Sequence, residues 1–247
     1  MTPTLRDIHF VQGHPANVCN TIVQQFIQNQ SAILVHYMYY ASYFRITVNN
    51  EMLATYAHAD YILPDGIGMQ LCFLPLVGKW IINLNGTDLS PLFIDNAVKH
   101  NIPVVFYGTT KENIKGCADR FHRDKGIAAA YYQDGYSSLD FSKVPDGSLL
   151  VVGIGSPRQE VWAASHHDII RQKKLLVVTA GGFLDFYCGY YIRAPKIVRT
   201  FKLEWLWRTI LHPHRHYPKR LRDMTVVFWP LVNRILGKHK QIHIIEM

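Results

Sequence analysis

Several signatures are missing from these 247 residues, and each absence removes a class of function. The four cysteines, Cys19, Cys72, Cys117 and Cys188, are scattered without a Cys-x-x-Cys pair. That speaks against a zinc site and a disulfide framework; they read as reduced, buried, small apolar residues. No apolar run approaches the roughly 18 to 20 residues of a membrane-spanning helix. The longest candidates, residues 32–44 and 224–232, contain His36 and Pro230. The start of the chain lacks the charged-then-apolar pattern of a signal peptide, so a cytoplasmic location is expected. There is no G-x-x-x-x-G-K-[ST] phosphate loop and no complete G-x-G-x-x-G fingerprint, which weakens ATP- and NAD-dependent readings. No Asp-x-Asp pair stands ready to hold a divalent metal against a diphosphate, so no metal or other cofactor is expected. No Gly-x-Ser-x-Gly elbow marks a serine nucleophile, and the 13 histidines show no metal-like spacing. Internal repeats and low-complexity segments are absent.

What remains is a globular composition, 49% hydrophobic and 18% charged, in a chain long enough for a sizeable core. The formal charge of +8 is unevenly placed. Up to residue 189 there are 14 Lys and Arg against 15 Asp and Glu; from Tyr190 onward there are 12 against 3. Such asymmetry points to an anionic partner for the last part of the chain: phosphate, nucleic acid or a membrane surface. Nucleic-acid binding would rest on charge alone, with no recognisable module.

Along the chain, apolar residues at helical spacing predict a helix over 18–27, while 31–43 reads as either a buried strand or a helix. Residues 45–49 alternate and are β-branched, so they read as a strand ending at Asn49. A short helix over 50–58 leads into a strand at Tyr61, Ile62 and Leu63. Residues 83–89 read as a loop, with Ser90 capping a helix that starts at Pro91. Strands are expected at 103–108, 149–155 and 175–180. Helices follow the first two, from a capping-box spacing at Thr109 and Glu112 and from about residue 156 to 171. Continuous apolar strands alternating with helices indicate an α/β fold with a Rossmann-like parallel sheet covered by helices on both faces. The predicted division is a core over residues 1–190 and a basic, aromatic, mainly helical appendage over 191–247. In the appendage Leu203, Leu206, Trp207, Ile210 and Leu211 make one apolar face. A basic amphipathic helix with tryptophan suits a membrane interface, and an ordinary packed helix with a solvated basic face fits equally.

Four stretches carry candidate chemistry. Asp65 follows the Tyr61 strand in residues 59–68, ADYILPDGIG. It sits where open α/β sheets bind ligands, with Gly66 and Gly68 permitting close backbone approach; Pro-Asp-Gly is also simply good turn chemistry. Residues 153–160, GIGSPRQE, join a strand to a helix. Free N–H groups at Gly155 and a bidentate Arg158 would receive an anion, while Ser156 with Gln159 equally fits a capping box. Gly181 and Gly182 in GGFLDF end the last strand, and Asp185 either contacts a ligand or caps a helix. Thr47 and Asn49, at the predicted strand end, offer hydrogen bonds to the same crevice.

Together these pieces resemble the WecG/TagA/CpsF glycosyltransferase family. The matching stretches, in the family's order, are TVN at 47–49, ADYILPDGIG at 59–68, NGTDL at 85–89, GIGSPRQE at 153–160, GGFLDF at 181–186, RAP at 193–195 and LEWLWR at 203–208. The resemblance implies transfer of a sugar, N-acetylmannosamine, its uronic acid or a related sugar, from a UDP-sugar to an undecaprenyl-diphosphate-linked sugar in bacterial surface polysaccharide synthesis. A hexose or hexuronic acid donor in capsule or exopolysaccharide synthesis is the alternative. The family's proposed base matches Asp65, its residues near the donor sugar match Thr47 and Asn49, and its motif glutamine matches Gln159. Gly66, Gly68, Asp88, Gly155, Arg158, Gly181, Gly182, Asp185 and Arg193 complete the implied substrate site. The family's basic appendage implies docking on the cytoplasmic membrane face, with Arg208, Arg215, Arg220 and Arg222 offered to the diphosphate. The chemistry agrees, since a carboxylate within reach can take the acceptor proton and arginines can meet the departing UDP without a metal. Nucleic acid is not an expected partner, and the oligomeric state is left open. A non-catalytic nucleotide- or polyanion-binding α/β protein is the competing class.

Overall fold

The computed structural model describes residues 3–192, 194, 195, 198, 207, 229–235 and 243–247. Eight parallel strands form one sheet: β1 (His9–Gln12), β2 (Ile33–Met38), β3 (Tyr61–Pro64), β4 (Val104–Gly108), β5 (Tyr131–Gln133), β6 (Leu149–Gly153), β7 (Leu176–Thr179) and β8 (His243–Glu246). Their spatial order is β5-β4-β6-β7-β2-β3-β1-β8. The helices are α1 (Pro15–Asn29), α2 (Tyr40–Val48), α3 (Asn50–Ala57), α4 (Ile67–Val77), α5 (Gly86–Lys99), α6 (Lys111–Lys125), α7 (Arg158–Ser165), α8 (His167–Gln172), α9 (Phe183–Tyr187) and α10 (Trp229–Ile235).

Alternate residues of the inner strands feed two separate cores. In β6, Leu149 and Val151 pack with α1, α5, α6 and α9 on one face, through Ile22, Phe93, Phe121 and Leu184. Leu150 and Val152 pack on the other face with α2, α3, α4, α7 and α8, through Ile46, Tyr56, Phe73, Ala163 and Ile170. A strand apolar on both sides is what a doubly covered parallel sheet requires, so the expected α/β fold is found.

One break in the winding positions the site. β2 and β7 are neighbours, yet β2 runs into α2 on the second face while β7 runs into α9 on the first. Connections leaving to opposite faces open a crevice outside the carboxyl ends of those strands. Beside it, β3 ends at Pro64 and β6 at Gly153.

Three local readings differ. Residues 45–48 are helical and Asn49 is the extended residue between α2 and α3, because α2 buries Tyr43 and Ile46 against the sheet at helical spacing; that packing outweighs the β-branched Ile46, Thr47 and Val48. α5 starts at Gly86, with Asn85 as its cap, and carries Pro91 inside it. α6 is capped by Thr110, not Thr109. A fourth finding concerns the appendage: residues 243–246 are a strand, hydrogen-bonded along β1 from His9↔His243 to Gln12↔Glu246, with Met247 N–H donating to the Gln12 carbonyl at 2.8 Å. The chain therefore returns to the sheet after its basic segment.

Candidate active site

Asp65 sits one residue beyond β3. Its N–H donates to the Met38 carbonyl at the end of β2, 2.8 Å away. The next N–H, of Gly66, donates to Asn83 Oδ1 at 2.7 Å, and Leu84 N–H donates to the Pro64 carbonyl at 2.9 Å. The turn is thus clamped from β2 and from the segment before α5. Gly66 has φ +86°, a conformation glycine takes without strain, and it hands the chain to α4. The two neighbouring glycines do different jobs. A Cβ on Gly66 would meet nothing within 4 Å, whereas one on Gly68 would lie 2.2 Å from the Tyr40 ring. Gly68 therefore admits Tyr40 of α2 against the first turn of α4.

Asp88 lies in the first turn of α5, where acidic charge complements the helix dipole. The Asn85 amide donates to Asp88 Oδ2 at 2.7 Å while its Oδ1 accepts Asp88 N–H at 3.0 Å. Asp65 and Asp88 both act electrostatically on the buried Tyr37 phenol. Its pKa lies well above the ordinary value, through burial first, then Cys19, then these two carboxylates.

Across the crevice, Gly155 (φ +85°), Gly181 and Gly182 each leave open space where a Cβ would be. Arg158, the first residue of α7, is exposed, and its charge reaches Tyr107, whose phenol pKa is raised by burial and eased back by that arginine. Ser156 is not a cap; Pro157 holds the cap position without a side-chain hydrogen bond. Gln159 is turned inward and buried. Its Nε2 donates to the Thr179 carbonyl at 3.1 Å and to Glu160 Oε1 at 2.9 Å, and its Oε1 accepts Gly181 N–H at 3.0 Å. Gln159 thus fastens α7 to the turn after β7. Asp185 neither caps α9 nor stands apart: its Oδ1 accepts from the Thr109 hydroxyl and, at 3.0 Å, from Asn113 Nδ2.

Thr47 and Asn49 are not at a strand end. Thr47, in the last turn of α2, donates its hydroxyl to the Phe44 carbonyl at 2.6 Å and accepts Trp229 Nε1 at 3.1 Å. Asn49 caps α3 by accepting Met52 N–H at 3.0 Å. The residues that follow the strand paired to β3 are instead Tyr39 and Tyr40. Arg193, Arg208, Arg215, Arg220 and Arg222 lie outside the described residues. Sequence reasoning did not find Asn83, because its bond reaches Gly66, 17 residues away, beyond any local pattern. Nor did it single out His36 as a buried imidazole within a strand, or Glu160 as a buried acid.

A family model described as the glycosyl transferase WecG/TagA/CpsF family matches residues 4–241. The chain is 33% identical over 180 residues to the N-acetylglucosaminyldiphosphoundecaprenol N-acetyl-beta-D-mannosaminyltransferase of Bacillus spizizenii, covering 70% of this chain and 68% of that protein. It is 24% identical over 222 residues to the Bacillus subtilis protein of the same name, covering 87% and 85%.

Proposed function

This chain belongs to the WecG/TagA/CpsF family of glycosyltransferases, and from that premise we propose that it transfers N-acetylmannosamine from a UDP-sugar to an undecaprenyl-diphosphate-linked N-acetylglucosamine, with inversion. The two relatives' names support the transferred sugar and the acceptor. The observation that carries the reading is Asp65 at the carboxyl end of β3, beside the β2/β7 crevice, at the same sheet end as the turns after β6 and β7, where Gly155, Gly181 and Gly182 leave open space in place of a Cβ.

In the proposed reaction the Asp65 carboxylate takes the proton of the acceptor hydroxyl as that oxygen attacks the donor's anomeric carbon. The bond from that carbon to the UDP oxygen breaks on the opposite side, and UDP leaves with the electron pair. The glycine turns receive the donor. Arg158 and the basic segment after residue 190 meet the diphosphate charge without a metal ion, and the same segment holds the enzyme on the cytoplasmic face of an anionic membrane. Gln159 serves the donor through the Gly181 turn it holds. Thr47, in the last turn of α2, and Asn49, at the cap of α3, position the donor sugar in this reading.

The test is UDP release by the purified full chain over a panel of UDP-sugars, with and without a short-chain polyprenyl-diphosphate-GlcNAc acceptor and with and without EDTA. Acceptor-dependent release from UDP-N-acetylmannosamine, insensitive to EDTA, is expected. Release from a UDP-hexose or UDP-hexuronic acid alone would replace the donor. Intact UDP binding with no release from any donor would favour the non-catalytic binding protein.

A further inference from the structure

Beneath the Gly155 and Gly181 turns lies a buried polar layer at the β2/β7 switch. Gln159 and Glu160 come from the first turn of α7, Tyr56 from α3, Ser42 from α2, and His36 and Thr179 from the sheet; all are buried. The hydroxyls of Ser42 and Ser156 stand 3.4 Å apart at its edge. The layer is only partly satisfied. Glu160 Oε2, Tyr56 Oη and His36 Nε2 lack a well-formed hydrogen bond among the described residues; the Ser42 and Ser156 hydroxyls act on Tyr56, and Ser156 and the Arg45 charge act on Glu160. Buried polar atoms of this kind are rare and call for an explanation, because an apolar side chain of similar volume would fold as well or better.

The explanation lies in the Gln159 amide. Its two ends have opposite requirements: one meets the Gly181 N–H donor, the other meets two acceptors, the Thr179 carbonyl and Glu160 Oε1. Turned the other way, the amide would set N–H against N–H and oxygen against two oxygens. Glu160 supplies one of the two acceptors that decide between these orientations.

We propose that Glu160 is a positioning residue for the transfer reaction, acting through Gln159 to hold the Gly181 N–H and the Gly181–Gly182 turn in the shape that receives the donor. The inference rests on the reading of that turn as donor-facing. Its own content is the dependence of the turn on Glu160.

The experiment compares wild type with Glu160→Gln and Glu160→Met in the full chain. Both side chains match glutamate in length, and only glutamine offers an oxygen to Gln159. Two quantities are read: donor and acceptor KM with kcat in the UDP-release assay, and hydrogen exchange at the Gly181 amide. In E160M the donor kcat/KM falls about tenfold or more, mainly through donor KM, with acceptor KM unchanged. The Gly181 amide exchanges about tenfold faster, and the thermal midpoint does not fall. E160Q restores both readouts. Wild-type donor KM and wild-type exchange in E160M would overturn the proposal, and so would equal loss in E160Q and E160M. Should the methionine variant not fold, Glu160→Asp, one methylene short of the Gln159 amide, takes its place with the same two criteria. Exchange at Gly181 is read without substrate. A wild type inactive in the assay would therefore count against the proposed function, while the dependence on Glu160 would still be decided.

Discussion

Replacing Asp65 by Asn changes almost no volume and removes the carboxylate that takes the acceptor proton. We expect kcat to fall about 10²- to 10⁴-fold, with UDP affinity by calorimetry unchanged; wild-type turnover would remove Asp65 as the base. The glycines separate by the space behind them. Gly68→Ala forces a Cβ to 2.2 Å from the Tyr40 ring, an overpacking that costs about 1–3 kcal/mol in urea unfolding. Gly182→Ala meets open space at an ordinary φ of −81° and should leave stability unchanged while weakening donor binding. His36 offers a pH signature. Burial pushes it down to about 3 from an unfolded value near 6.5. Below about pH 6.5 the unfolded chain therefore binds a proton that the folded chain refuses. The stability is fully present above that pH and is lost as pH falls from about 6.5 toward 3. His36→Gln should flatten the fall in unfolding free energy between about pH 7 and 4 by a few kcal/mol at most; parallel profiles for the two proteins would contradict it. At this scale Asp65 was legible, because a strand stop followed by Asp-Gly has a stereochemical meaning. The roles of Gln159 and Asp185 were not, because nothing in a motif says that its polar residues are spent on Gly181, Thr109 and Asn113.

Among the elements, β3, β4, β6 and β7 stood out in the sequence as unbroken apolar runs bounded by Gly, Pro or polar residues. α2 did not, since Ile46, Thr47 and Val48 favour a strand locally and only the burial of Tyr43 and Ile46 on the sheet makes them helical. β1 and β8 escaped because strands of only four residues carry too little pattern. The pairing of β8 with β1 implies an element-level outcome. Deleting residues 243–247 should lower the urea midpoint, because β1 loses its partner along four residues and the Lys79–Glu246 contact. The exposed pair itself contributes at most about 1 kcal/mol, so Glu246→Gln alone should be nearly silent; a large effect from it would mean that the pairing matters less than the charge.

For the molecule as a whole, the proposed membrane attraction would reside in the basic part after residue 190, and sedimentation with vesicles tests it. Binding to anionic vesicles should weaken as salt rises and be lost when Arg208, Arg215, Arg220 and Arg222 are replaced by Gln together; salt-independent binding would contradict it. A simple truncation would confuse this test, since it also removes α10 and β8. The sheet's arrangement also bears on how the protein is made. β1 emerges first, yet one of its two partners arrives only with residues 243–246. At about 5 to 20 residues per second, the stretch from β3 to β8 takes on the order of 10 to 40 s to synthesise. Through that interval β1 presents an unpaired edge to everything around the ribosome, the kind of surface that recruits other strands. A ribosome stalled within the basic segment leaves that edge open, so the codons for residues 243–246 govern the solubility of the nascent chain more than their number suggests.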